Sequence, residues 1–152
     1  MPLIYQQLME QIAASRKEFG LSMQPPCNSK DLADLQVRAR NELGAEIPPG
    51  YVQFLGQHNG LSWNGLVIFA SKTVPIVGCA DKYIEGLVDW NLDFRSAEWK
   101  NRFLVFGESD LDLYIYEPRK KKFSACDRIS LDEAESYASF EEMITEALRK
   151  HL

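Results

Sequence analysis

No apolar run in these 152 residues approaches the length of a membrane span. Cysteine is sparse: Cys27, Cys79 and Cys126 are odd in number, widely spaced and free of any C-x-x-C pair. Such a set makes a poor disulfide framework and carries no local zinc signature. Histidine is scarcer still, with only His58 and His151. No glycine-rich loop joins a strand to a helix, so a nucleotide-binding βαβ unit has little support. Repeats and low-complexity segments are absent. The opening Met1-Pro2-Leu3-Ile4-Tyr5-Gln6-Gln7 turns polar at once, unlike a signal peptide. The expectation is a cytoplasmic protein without cofactor or metal.

What is present suits one domain spanning 1–152. Hydrophobic residues make up 45% and charged residues 26%, enough to bury a core and remain in solution. The net charge of −5 argues against duplex DNA or an anionic membrane as the main partner. Its distribution is uneven: from Asp81 to Asp112 eight acids face four bases, which is −4 of the −5. If a charged face meets a partner, this segment is the leading candidate.

The most informative stretch runs from Ile47 to Gly60. Pro48-Pro49 supplies the fixed φ suited to a first helical turn. Tyr51, Phe54, Leu55 and His58 then fall on one helical face. Asn59-Gly60 can adopt the left-handed conformation that ends a helix. Two helices are predicted before it. Residues 3–19 carry Ile4, Leu8, Ile12 and Phe19 near one stripe, stopped by Gly20. From an Asn28 or Ser29 cap, a second helix turns Leu32, Leu35, Ala39 and Leu43 inward and closes at Gly44.

Beyond Gly60 the period changes. Residues 65–69 and 103–106 are continuous apolar runs of strand length. Leu111, Leu113 and Ile115 alternate with Asp112, Tyr114 and Tyr116 as a half-buried strand. Pro118 and the basic run 119–122 turn it into a second strand, Lys122–Cys126, as a hairpin. A helix over 139–150 follows, with Ser139 and Glu142 as a capping box. Helices, then mostly consecutive strands, then a helix define an α+β fold: helices packed on a mostly antiparallel sheet.

These residues resemble the SUKH superfamily, which contains yeast cell-wall-assembly regulators and bacterial toxin-immunity proteins; among them the chain looks closest to YrhA-like members. The resemblance rests on 43–51 (Leu-Gly-Ala-Glu-Ile-Pro-Pro-Gly-Tyr), Phe54-Leu55 and Asn59-Gly60. It continues through Phe103-Leu104-Val105-Phe106-Gly107-Glu108, Tyr114-Ile115-Tyr116 and 139–143. It implies an α+β fold and a protein that works by binding another protein, either a nuclease- or deaminase-type toxin or an endogenous regulatory target. No catalytic set carries over, because the shared residues are apolar or turn-forming. Segment 71–102 lies outside these matches and is where partner choice would be encoded.

Read as a helix, 81–94 places Asp81, Glu85, Asp89 and Asp93 on one arc. Tyr83, Ile84, Leu87, Val88, Trp90 and Phe94 take the opposite arc, while Leu92 intrudes on the acidic side. Three like-charge i,i+4 pairs cost an isolated helix about 1 kcal/mol, and Gly86 a comparable amount. The functional reading is an acidic face for a basic toxin groove; the plainer one is a solvated helix face. Trp90 and Trp99, set among acids, are candidate contact residues, although tryptophan also packs cores; Trp63 belongs with the scaffold. Glu108, Asp110 and Asp112 join the candidate surface as solvated loop acids. They lack the EF-hand spacing for calcium, and paired carboxylates alone do not make a glycosidase. A small enzyme built on Cys or His is the third reading, and it requires His58 to approach a cysteine or carboxylate.

Overall fold

A computed structural model describes residues 4–152, except for the side chains of Ala80, Glu98 and Trp99. Helix α1 (Ile4–Glu18) buries Tyr5, Leu8, Met9 and Ile12. Its predicted stripe is too long at both ends: Ile4 and Phe19 are exposed, Phe19 lying beyond the last helical residue. Helix α2 (Ser29–Arg38) starts at Asn28, whose side chain accepts a hydrogen bond from the Asp31 amide at 2.7 Å. It widens into one π turn over Ala39–Leu43 and stops at left-handed Gly44, φ 62°.

Helix α3 (Pro49–Gln57) follows Pro48 and buries Tyr51, Phe54 and Leu55. Its end differs from expectation: His58 is the extended cap residue, and only Gly60 takes positive φ. Asn59 has another task. Its amide donates to the Pro25 carbonyl, and its side-chain oxygen accepts from the Ser71 amide at 2.8 Å. A Cβ on Gly60 would stand 3.1 Å from the Ile68 carbonyl oxygen, so the Asn-Gly pair lets two chain segments pass closely.

Eight strands follow: β1 (Leu61–Trp63), β2 (Leu66–Ile68), β3 (Val74–Ile76), β4 (Cys79–Ile84), β5 (Leu104–Glu108), β6 (Asp112–Glu117), β7 (Lys122–Asp127) and β8 (Glu133–Tyr137). Six form an antiparallel sheet in the order β1-β2-β5-β6-β7-β8, and β3 and β4 pair separately. The β1–β2 hairpin turns on Asn64 and Gly65, both at positive φ. Residues 65–69 are thus a turn followed by a short strand. Helices α4 (Leu87–Phe94) and α5 (Phe140–Lys150) complete the architecture, with a 3₁₀ turn over Glu98–Arg102. The fold is α+β, as the order of elements predicts.

The β6 expectation needs correction. Leu113, Tyr114 and Ile115 are all buried, and Leu111 precedes the strand and is exposed. The strand is covered on both faces, so strict alternation fails. On one face Phe106 and Phe123 meet Phe140 of α5 at centroid distances of 5.4 and 6.5 Å. Tyr51 of α3 joins this aromatic group through Phe106 at 5.0 Å and donates from its hydroxyl to the Phe69 carbonyl at 2.6 Å. The α5 cap is close to the predicted box: Ser139 accepts from the Glu142 amide, but the Glu142 carboxylate reaches the Ala138 amide.

The two sheet edges differ. Buried Arg16, in the last turn of α1, donates to the Ser62 carbonyl on the three-residue strand β1. Strand β8 pairs only with β7, and Glu133 to Ser136 are exposed.

Candidate interaction surface

The predicted helix over 81–94 is not one element. Strand β4 runs through Asp81 to Ile84, and α4 begins only at Leu87. Gly86 sets the boundary, extended at φ −72°, ψ 147° and bridged to Ala70. A Cβ there would approach the Lys72 Cα to 2.6 Å. The strand places Ile84 inside and Tyr83 outside, 61% exposed, where a helix would have buried both. The four-acid helical arc therefore does not exist.

Three of its members nonetheless regroup around a fourth acid. The carboxyl of Glu85 is held above the usual glutamate range, first by partial loss of hydration and then by Glu108, Asp93 and Asp89. Asp81, exposed on β4, is not among these perturbing charges. Asp93 is exposed on α4 beside Leu92, 41% exposed, which confirms that Leu92 lies on the outer side. The grouped acids come from β4's exit, from α4 and from the end of β5, and the same β4 and α4 carry the exposed Tyr83 and Leu92.

The acids are not equally available. Asp89 accepts from Arg38 and from the Thr73 hydroxyl, both at 3.2 Å, so it ties α4 to α2 and to the loop before β3. Glu108 is half-buried and paired with Arg128 at 3.5 Å. Glu85 and Asp93 are the open ones. Trp90 is stacked between Phe69 and Phe94, at 4.8 and 5.2 Å, so much of its ring is engaged in packing. The side chain of Trp99 lies outside the described residues. Asp110 is exposed in the turn before β6, near Gly65. Asp112 opens β6 in register with Asp127.

The residues that fix this surface escaped the sequence reading. Asn91 is fully buried on α4 and bonds both the amide and the carbonyl of Val105 at 2.9 Å. Arg95 donates to the carbonyls of Leu43 and Phe103 at 2.8 and 2.7 Å, and burial lowers its proton affinity. The available signal was an Asn inside an otherwise apolar arc and an Arg at a helix end.

His58 does not meet a thiol, one of the two partners that the enzyme reading asks of it. Its Nδ1 sits 3.2 Å from the Gln24 carbonyl oxygen. The surface recess it shares with Glu10, about 360 Å³, has no cysteine in its lining. Cys27 and Cys126 are buried, and burial followed by nearby acids pushes the Cys126 thiol up to about 12. Among the described residues no group of three or more His, Cys, Asp or Glu side chains is placed to hold a metal ion. No described helix is long and apolar enough to cross a membrane.

The scaffold is α+β, with exposed acids and apolar side chains carried on elements that Asn91 and Arg95 tie to distant backbone carbonyls. A model of the SMI1 / KNR4 family (SUKH-1) matches residues 26–146, most of the chain, and the protein belongs to that family within the SUKH superfamily. The match spans segment 71–102 as well as the motifs on either side. No curated protein matches the chain.

Proposed function

We propose that this protein is a single-domain, non-enzymatic cytoplasmic immunity protein of YrhA-like type. It neutralises a nuclease- or deaminase-type toxin by binding and occluding the toxin's basic groove. The observation that carries this reading is the grouping of Glu85, Asp89 and Asp93 with Glu108, whose charges, after partial loss of hydration, raise the proton affinity of Glu85. Like charges gathered at a surface oppose folding, so their placement suits a cationic partner that relieves the repulsion. Tyr83, Leu92 and the exposed part of Trp90 supply apolar contact, with Asp81, Asp110 and Asp112 at the periphery.

The test is co-purification with the product of a neighbouring toxin gene, followed by association kinetics at rising salt. Binding should slow as ionic strength increases. Failure to protect against every adjacent candidate toxin would remove the proposal and leave the adaptor role, in which the same fold binds an endogenous regulatory protein.

A further inference from the structure

A second surface carries the opposite charge. The extended segment Ala45–Pro48 leads into α3 and forms one wall of a groove of about 510 Å³. Ile47, Pro48 and Pro49 line it together with Tyr116, Pro118 and Phe123. Tyr116 and Phe123 stack across β6 and β7 with centroids 4.5 Å apart and planes inclined by 29°, and both remain half-exposed. A pair of aromatic rings beside an extended proline wall, in a groove of this size, is the form of site that takes an apolar side chain of a peptide.

Charge defines the rest of the occupant. Glu46 is the one charged residue lining the groove, and Arg40 matches it at 3.0 Å. Beyond Pro118 comes the basic run of the β6–β7 turn. Lys120 approaches Glu117 at 3.8 Å and Lys122 pairs with Glu133. Arg119 and Lys121 are exposed, with no ion-pair partner among the described residues. The unbalanced charge at this lip is therefore positive, in a chain whose net charge is −5. The groove also lies apart from the acidic patch: Tyr116 pairs with Leu104 and Glu108 with Leu113, at opposite ends of the β5–β6 ladder.

We infer that this groove is a second docking site, for an extended acidic peptide segment that seats one aromatic or aliphatic side chain between the Pro48-Pro49 wall and the Tyr116–Phe123 pair while its carboxylates meet Arg119 and Lys121. Nucleic acid fits less well. A phosphate chain needs a continuous run of free cations, whereas this lip offers two and sets Glu117 and Glu133 beside them.

The test is an NMR titration of the full chain with the peptide acetyl-Asp-Glu-Phe-Asp-Glu-amide. Two controls replace Phe by Ala or all four acids by Lys. Shifts should concentrate at 44–49 and 116–123, the Ala peptide should bind more weakly, and the Lys peptide should leave these residues unmoved. The double variant R119E/K121E changes only exposed side chains and should weaken the acidic peptide by about tenfold. If its melting temperature shows misfolding, R119E alone should weaken binding in the same direction. Equal binding of acidic and basic peptides, shifts mapping elsewhere, or no binding at millimolar peptide would overturn the assignment. So would tighter binding of a short oligonucleotide at the tip, or self-association in sedimentation that R119E/K121E abolishes.

Discussion

The side chain of Asn91 pairs with the backbone of Val105 as a neighbouring strand would. Its Oδ1 accepts from the Val105 amide and its Nδ2 donates to the Val105 carbonyl, each at 2.9 Å. Strand β2 pairs with β5 only at Glu108 and Gly107, and Phe69 adds one further bond to Phe106. Asn91 supplies the next pairing, so α4 docks against the strand edge through hydrogen bonds. Asn91→Leu leaves two buried backbone groups without partners. It should destabilise the fold by about 2–4 kcal/mol in urea denaturation; a loss below about 0.5 kcal/mol would mean that water or a shifted strand takes over.

Tyr51→Phe tests the bond between the proline-started helix and the chain leaving β2. The phenol is fully buried and its proton affinity is held well above the ordinary value by burial. Removing the hydroxyl leaves the Phe69 carbonyl without that donor. The expected cost is about 1–2 kcal/mol, read as a lower urea midpoint at unchanged m-value.

Gly107→Ala tests the irregularity in β5, where the register with β6 shifts between Val105 and Gly107. An added Cβ would meet the Val67 carbonyl oxygen at 2.5 Å, backbone that cannot swing aside. The change should cost about 1–3 kcal/mol.

Glu85 gives a pH dependence of definite sign. Its folded pKa is raised, so the folded state binds its proton more readily than the unfolded chain does. Its contribution to stability therefore falls as pH climbs from the ordinary glutamate value of about 4.3 through the raised folded value. Glu85→Gln should make the fold more stable than wild type at pH 7, with the gap closing below the carboxylate range. Thermal melts of the two proteins at pH 3.5, 5 and 7 read this directly; a gap independent of pH would contradict it. The same variant should slow association with a cationic partner, because the charge that opposes folding is the one proposed to attract it.

Thiol labelling distinguishes the three cysteines. Cys79 is partly exposed, whereas Cys27 and Cys126 are buried with raised proton affinity. Ellman's reagent at pH 8 should react promptly with one thiol in the native protein and with three after denaturation. Prompt reaction of Cys126 would show that the β7 face opens in solution.

The helices were legible because their ends are written in special residues: Asn28, Gly44, Pro49 and Ser139 each act where they were expected to, while Pro48 stands just before the first helical turn. Strand β5 was legible as an apolar run, and β7 as the second arm of a hairpin after the Pro118 turn. Strand β8 was not, since Glu133 to Ser136 are exposed and carry no hydrophobic periodicity. The error over 81–94 came from reading an i,i+4 spacing of acids across Gly86, which the tertiary contact with Lys72 and Ala70 fixes as an extended break. The acidic grouping then reappeared by a route the spacing could not show, because Glu108 reaches it through strand pairing. The frame of Asn91 and Arg95 depends on backbone groups distant in sequence, and local patterning carries no trace of those.

The unequal sheet margins have a consequence for assembly. Arg16 takes up the Ser62 carbonyl on the outer rim of β1, which leaves β8 as the more open rim of the six-stranded sheet for hydrogen bonding by another chain. Two molecules joined in that way would each place β8 against the other's β8. A β8-to-β8 contact is self-complementary, so growth through it would stop at a closed pair.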